Sequence, residues 1–393
     1  MQRAGILSSV SLMAVLMNAP LAFAQADETP PIVPDVLEDP AAQIYDLSQS
    51  MMLGLDVFGN TITAVGERGY IVHSSDSGAS WTQALNVPVS VALTDVEFSD
   101  ELTGWAVGHS GVILRSHDGG ANWQLVMDGN GVAETIYDTA QSRVNAGIES
   151  AQRELRSAQY LVDEGPDKPI LKVFFDTAQH GFVLGAYGIA LETTDGGQTW
   201  ESVVHRIPNV FGAHLYDMAR IGDWLIIVGE QGAVFVSADN GETFDEVESA
   251  YEGTFFGVVG ESDDTAILHG LRGNVWHLTL SLEDITPDEG SVEDPLTVSD
   301  PAFEMRADWR QIDNGPEVTV SAGTVMTNGD VVLADQGGRL TVVSEGVDES
   351  IRLDLPGAGT VTDIVVTGAG DIIVTGPRGP VRVSSEQSTS GGF

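Results

Sequence analysis

The sequence predicts an all-β fold, a seven-bladed β-propeller with a helical insertion between blades 2 and 3, on three observations. A nine-residue phrase occurs four times, as "HSSDSGASW" (73–81), "RSHDGGANW" (115–123), "ETTDGGQTW" (192–200) and "VSADNGETF" (236–244). Its aspartates, Asp76, Asp118, Asp195 and Asp239, are separated by 42, 77 and 44 residues. A period near 42–44 with one insertion is the length of four short strands in a blade. Secondly, an apolar run, a G-x-x-G turn and another apolar run precede each phrase, as in "TGWAVGHSGVILRSHDGG" (103–120) and "HGFVLGAYGIALETTDGG" (180–197). Thirdly, three weaker copies without the aspartate phrase follow at 264–278, 329–344 and 370–385, which brings the count to seven.

In chain order, the inner strands are expected at "MMLGLDVF", "ALTDVEFS", "ILKVFFDT", "AHLYDMAR", "TFFGVVGE", "VSAGTVMT" and "TVTDIVVT". Each leads through the strand, G-x-x-G turn and strand to an outer strand, at "WTQALNV", "WQLVMD", "WESVVH", "FDEVES", "WRQID" and "IRLDL". Glycines at both ends of the turn suit positive φ and close chain approach. The seventh outer strand is missing at the C-terminus. The N-terminal "AQIYDLS" (42–48) is expected to take its place and close the ring, which removes open sheet edges.

Two segments interrupt the period. Residues 131–164 place Ile136, Ala140, Val144, Ile148, Ala151, Leu155 and Ala158 three or four apart, which predicts an amphipathic helix or helical hairpin with a break at Gly147. Residues 281–306 are rich in acid and proline and read as a long solvated loop inside blade five. The first 24 residues read as an export signal, with Arg3, the apolar "ILSSVSLMAVLM" and a small-x-small site at Ala22-Phe23-Ala24. The expected organisation is a signal peptide at 1–24, a flexible segment at 25–41, the propeller at 42–385 and a disordered tail at 386–393.

Composition narrows the function. The 393 residues hold 58 Asp+Glu against 17 Lys+Arg, a net charge of −41, and only two lysines, Lys168 and Lys172. Such a surface repels phosphate backbones and anionic headgroups, which argues against nucleic acid or a membrane surface as partner. The signal segment is too short and interrupted to span a bilayer, and no later run reaches about 18 apolar residues, so no direct membrane insertion is expected. With no cysteine, disulfides, thiolate ligands and lipoprotein acylation are excluded. A periplasmic, or alternatively extracellular, monomer without metal or cofactor is the expectation.

The repeated phrase S/T-x-D-x-G-x-x-W/F is the Asp-box pattern of sialidase-like and related propellers. Its aspartate accepts hydrogen bonds across the turn, its glycine takes the strained backbone, and the aromatic packs between sheets. Asp76, Asp118, Asp195 and Asp239, with Trp81, Trp123, Trp200 and Phe244, are therefore read as structural. One carboxylate per turn is a poor calcium cage. The alternative function is an Asp-box glycoside hydrolase or carbohydrate-binding propeller. "HRIPNV" (205–210) is similar to the Arg-Ile-Pro motif of sialidases, but Arg206 follows the third Asp box instead of preceding the first, and no spacing selects an acid/base or Tyr-Glu pair. G-x-S-x-G, H-E-x-x-H and P-loop motifs are absent and the eight histidines lack ligand spacing.

The G-x-x-G turns should ring the face opposite the Asp boxes. Their third positions are Arg68, Ser110, Tyr187, Gln231, Arg272, Gln336 and Arg378, with Arg339 close by. Guanidinium forks bind carboxylates and aromatics, and tyrosine supplies rigid contact area. Arg68, Tyr187, Arg272, Arg339 and Arg378 are accordingly the candidate partner-binding residues, the competing explanation for the arginines being ion pairs with neighbours such as Glu67.

The stretch "DVEFSDELTGWAVGHSGVILRSHDGGANW" (95–123) resembles the photosystem II assembly and stability factor family, whose blades run "dI.F.d...GW.vG..G.il.T.DGG..W". The resemblance is specific in blades two and three, fair in one and four, and weak in five to seven. It implies a non-enzymatic assembly factor of an exported compartment that binds an integral membrane protein through an arginine-bearing face, to which Arg68, Arg272 and Arg378 correspond. The helical insertion and the acidic surface look more like members in non-photosynthetic proteobacteria. Such proteins accompany resistance-nodulation-division type exporters, which implies a cell-envelope membrane protein, an exporter of that type, as client.

Overall fold

Each repeat folds into its own antiparallel sheet because its apolar runs are joined by turns that reverse the chain at once. The computed structural model describes residues 35–284, 303–344, 351–355 and 359–383. Within them are six four-stranded sheets and one three-stranded sheet, and in every sheet the strands lie side by side in sequence order. Blade 1 is built from Met52–Phe58, Thr61–Gly66, Ile71–Ser74 and Thr82–Gln83, and blade 2 from Leu93–Phe98, Gly104–Gly108, Ile113–Ser116 and Trp123–Met127. The inner strands of blades 3 to 7 are Ile170–Phe175, Leu215–Ile221, Phe255–Gly260, Val320–Val325 and Ile364–Val366. Each inner strand packs against the next, and the last packs against the first, so the ring closes.

Closure does not use the N-terminal segment as a strand. Residues 42–48 are not strand; Leu47–Gln49 form a single 3-10 turn, and blade 7 has three strands among the described residues. The reason is local. The Asp46 carboxylate accepts the Ser48 amide at 3.0 Å and its hydroxyl at 2.6 Å, and this side-chain competition with the backbone favours a turn over an extended run. Ile44 and Leu47 still contribute by packing on the cluster of Met52, Tyr70, Val72, Val365 and Ile373 that joins blades 1 and 7. The seam itself is made by the blades: the Met52 amide donates to the Gly376 carbonyl at 3.0 Å, and the Thr362 hydroxyl to the Met52 carbonyl at 2.7 Å.

The insertion is a helical hairpin between the outer strand of blade 2 and the inner strand of blade 3: α1 at Gly129–Asn145 and α2 at Ala151–Glu164. Asp128 caps α1 by accepting the amides of Asn130 and Gly131, both at 3.0 Å. Gly147 sits in the break between the helices with φ +83°, a conformation open to glycine. α1 buries Val132, Ile136 and Ala140 in the blade 2–3 core beside Trp105, Phe175 and Trp200. α2 rests on α1 through Ala151 and Ala158.

Blade 5 differs from expectation at its outer hairpin. Its third and fourth strands run Val275–Asp284 and Phe303–Gln311, so both ends of the segment 281–306 are strand. Apolar and polar residues alternate through "LTLSLE" and "FEMRADW", which is the signature of a half-buried strand despite the acidic composition. The rest of that segment, and the expected signal peptide and C-terminal tail, lie outside the described residues.

Candidate functional site

The two glycines of each G-x-x-G turn have different tasks. At the first, the backbone is extended, and the position is closed to any side chain by the inner strand of the same blade. A Cβ on Gly66 would stand 2.1 Å from the Met51 carbonyl oxygen, one on Gly108 2.3 Å from that of Ala92, and one on Gly270 2.0 Å from that of Thr254. The second glycine takes positive φ, as at Gly69 (+71°) and Gly188 (+74°). The residue between them is also left-handed, a feature that the glycine pattern alone does not reveal. Arg68, Ser110, Tyr187, Gln231 and Arg272 all have φ of 56–58°. Left-handed backbone costs a non-glycine residue about 1–2 kcal/mol, so five side chains are held there against local preference.

Four of these side chains, Arg68, Tyr187, Gln231 and Arg272, are exposed on the turn face, and Ser110 is partly so. Arg68 and Arg272 form no ion pair among the described residues. Glu67 is occupied otherwise: its carboxylate accepts the Met51 amide at 3.2 Å, just as Glu230 accepts the His214 amide at 3.1 Å in blade 4. Arg378 is exposed in blade 7 in a turn without the left-handed third position. Arg339 stands apart from the others. It is bound to the buried carboxylate of Asp335, which accepts both its guanidinium and its amide, so its charge is spent inside blade 6.

The structure adds an aromatic row to this face. Tyr187 lies edge-on to His214 at 4.8 Å between centroids, His214 to Tyr216 at 6.3 Å, and Tyr216 to Phe256 at 5.1 Å. Tyr216 and Phe256 are the bulged residues of the inner strands of blades 4 and 5, so the row runs from the turn of blade 3 to the inner strand of blade 5. The Lys168 ammonium caps its outer end, 5.4 Å from the Tyr187 ring centroid. Burial raises the Tyr216 phenol above its ordinary range. Beyond Tyr187 a groove of about 600 Å³ opens between α2 and the loop 203–212.

Inward of the turns, every blade carries a bulge in its inner strand, and the residue just past it occupies an equivalent position around the axis: Gly54, Asp95, Lys172, Asp217, Gly257, Ala322 and Asp363. Lys172 stands 3.4 Å from Asp95 and 3.3 Å from Asp217. The carboxylates also bridge blades. Asp56 accepts the Phe98 amide at 2.8 Å, Asp95 that of Val173 at 3.0 Å, Glu97 that of Phe175 at 3.0 Å, and Asp217 that of Val258 at 2.9 Å. Neighbouring inner strands share no ladder, and these side chains satisfy amides that would otherwise lack partners. Burial pushes Asp56 up to about 6 and Asp363 up to about 7, and pushes Glu97 well above the usual carboxylate range. The motif reading passed over these residues, although an acid or lysine inside an apolar inner strand is visible in the sequence.

On the opposite face the Asp boxes are alike to within 0.2 Å. Asp76, Asp118, Asp195 and Asp239 each accept the amide four residues on at 2.9 Å, and the hydroxyl two residues before each donates to it at 2.8–3.0 Å. Hydrogen bonds from Ser80 and Thr199 draw Asp76 and Asp195 down to about 2. Trp123, Trp200 and Phe244 are buried, and Trp81 is partly buried. Arg206 belongs to this structural network. Its guanidinium meets Glu192 at 2.8 Å and the Gly241 carbonyl at 3.2 Å, while Glu192 also binds His180, itself held by Asp176. His109 is exposed on the turn face. Among the described residues no group of three or more His, Asp or Glu side chains is placed to hold a metal ion.

Residues 153–251 match the family model described as photosynthesis system II assembly factor YCF48. No curated protein matches the chain in sequence. Among solved structures, YCF48 from Cyanidioschyzon merolae is 14% identical with a TM-score of 0.56, over 86% of this chain and 97% of that one. YCF48 bound to D1 peptide is 13% identical with a TM-score of 0.55, over 88% and 98%. Streptogramin B lyase is 12% identical with a TM-score of 0.59, over 89% and 99%, so the same architecture also serves an enzyme. The chain is thus photosystem II assembly factor-like in sequence over the matched stretch, and it shares the propeller fold of these structures.

Proposed function

We propose that this propeller is a non-enzymatic binding and assembly factor that captures a segment of a membrane protein on its G-x-x-G face. The observation that carries the reading is the set of left-handed turn positions that hold Arg68, Arg272 and Tyr187 out into solvent, with the two guanidiniums unpaired among the described residues on a chain of net charge −41. Unpaired guanidiniums offer planar, two-pronged sites for carboxylates and backbone carbonyls, and the aromatic row supplies apolar contact area of low conformational entropy. A propeller of similar fold has been solved with a peptide of D1 bound, which supports a peptide as the ligand class. The sialidase-like alternative is less well supported, since the Arg206 Nη1 is engaged by Glu192 at 2.8 Å and by the Gly241 carbonyl at 3.2 Å.

The export signal read in residues 1–24 and the absence of cysteine support the periplasm as the site of action. There the client is an envelope membrane protein, with a resistance-nodulation-division type exporter as the first to test, and the propeller acts as a monomer. The test is affinity capture from detergent-solubilised envelope, followed by identification of the captured protein. Replacing Arg68, Arg272 and Arg378 together by glutamate should abolish capture and leave the melting temperature nearly unchanged. Capture undiminished in the folded triple variant overturns the reading.

A further inference from the structure

The helical hairpin carries a feature that the turn face does not explain. Its groove against the loop 203–212 is floored by Ile136, Ala140, Ala158 and Ile189 and rimmed by Arg153 and Arg156 of α2. Both arginines are exposed, and neither forms an ion pair among the described residues. Glu154, on the same lining, is already neutralised by Arg143 at 2.9 Å, which leaves Glu149 as the uncompensated lining carboxylate. Like charges three apart on a helix disfavour it by a few tenths of a kcal/mol. On a chain with 58 acidic residues, two adjacent guanidiniums without carboxylate partners run against the composition. Tyr187 lines the groove and also begins the aromatic row, so groove and turn face are continuous.

We propose that this groove binds an acidic, apolar-sided peptide segment, with an apolar side chain on the floor between α1 and the loop and a carboxylate on Arg153 and Arg156. The occupant is chosen by charge: a basic segment would meet two guanidiniums, whereas an acidic one pairs with them through charge-assisted hydrogen bonds. The volume lies in the range of sites that enclose a few side chains. This deepens the proposed function, on which it rests, by giving the client segment a chemistry and the hairpin a task.

The test uses fluorescence anisotropy at 0.15 M salt, where the Debye length of about 8 Å screens the overall negative charge. The probe is a labelled dodecapeptide alternating Leu with Asp, compared with its Leu/Lys counterpart. The full chain should bind the acidic probe, and the pair Arg153→Glu and Arg156→Glu should weaken it by a factor of three or more, with about tenfold expected, while Arg153→Lys with Arg156→Lys retains most of it. If the glutamate pair fails to fold, the Gln pair replaces it. No binding of the acidic probe, a loss below threefold, or equal displacement by the lysine peptide overturns the inference. So does a dimer of the unmodified chain that the variant dissolves, since the occupant would then be a second copy. Loss of envelope capture in the Arg68/Arg272/Arg378 variant with no effect of the α2 variant sinks the groove alone; the reverse pattern sinks the turn face and leaves the groove standing.

Discussion

Asp363 Oδ2 accepts the amide N–H of Leu55 at 2.6 Å, so a carboxylate of the last blade holds the backbone of the first. The same device joins blades 1 to 2, 2 to 3 and 4 to 5 through Asp56, Asp95, Glu97 and Asp217. Inner strands of adjacent blades diverge too far for a ladder, and a side-chain acceptor reaches across instead. The cost is burial of several carboxyls around one lysine.

That cost sets a pH dependence. Asp56 and Asp363 are raised from 3.8 to about 6 and about 7, chiefly by burial, so in the fold they keep protons that the unfolded chain has released. Stability from these groups is full below about pH 4 and is lost as pH rises through 7. The Asp-box aspartates, drawn down, are ionised in both states across this window and lose their contribution only on acidification toward pH 2. Thermal melts should show a lower transition at pH 8 than at pH 5, by on the order of 2 kcal/mol, since a tenfold change in a group's proton affinity is worth about 1.4 kcal/mol and the side chains are not sealed from water. Asp363→Asn should flatten that slope whatever its effect on the absolute midpoint.

Lys172, on the inner strand of blade 3, neutralises the carboxylates on either side of it in the ring. Lys172→Met should destabilise by roughly 3 kcal/mol at pH 8, the low end for orphaning a buried charge partner, because a quarter of the lysine side chain is still accessible. At pH 5 the loss should shrink, since Asp95 and its neighbours can take up protons in place of the missing cation. Urea titrations at the two pH values check this; equal losses would show that Lys172 does not neutralise these carboxyls.

The left-handed turn residues should be dispensable for stability. Gln231→Gly relieves about 1–2 kcal/mol of backbone strain and gives back roughly half of it through the greater freedom of the unfolded chain. A midpoint unchanged or raised is expected. A clear fall would mean that the side chain at this position packs instead of facing solvent.

The two faces should separate cleanly by substitution. Trp123 is fully buried and its indole donates to the Gly120 carbonyl at 2.9 Å, so Trp123→Ala should cost about 3–5 kcal/mol. Tyr187 is 58% exposed, so Tyr187→Ala should leave the melt unchanged yet weaken client capture about tenfold or more, as loss of an aromatic anchor does. Melting and capture measured on both variants decide the point.

The strand order, the turns and the hairpin were legible because each depends on neighbours in the chain. Alternating apolar residues, paired glycines and the three-to-four spacing of Ile136, Ala140 and Ala158 state their own structure locally. The failures were also local signals, overridden or misread. Asp46 turned the expected closing strand at 42–48, and acids in "SLED" and "FEMR" hid the alternation that extends the outer hairpin of blade 5. Arg339 looked like its neighbours until Asp335 was found to bind it.

By itself the sequence determined how many blades there are, which turns hold glycine and that the chain would be strongly acidic, since these are properties of one repeat or of a sum. Only the tertiary structure decided which charges are free. Among the described residues Arg68 and Arg272 are left unpaired, Arg206 and Arg339 are spent, and Lys172 is shared by Asp95 and Asp217 from the blades on either side. The physical reason is that a charge's partner lies within a few ångströms in space, at separations in sequence from 4 residues for Arg339 to 77 for Lys172, and no spacing rule spans that range.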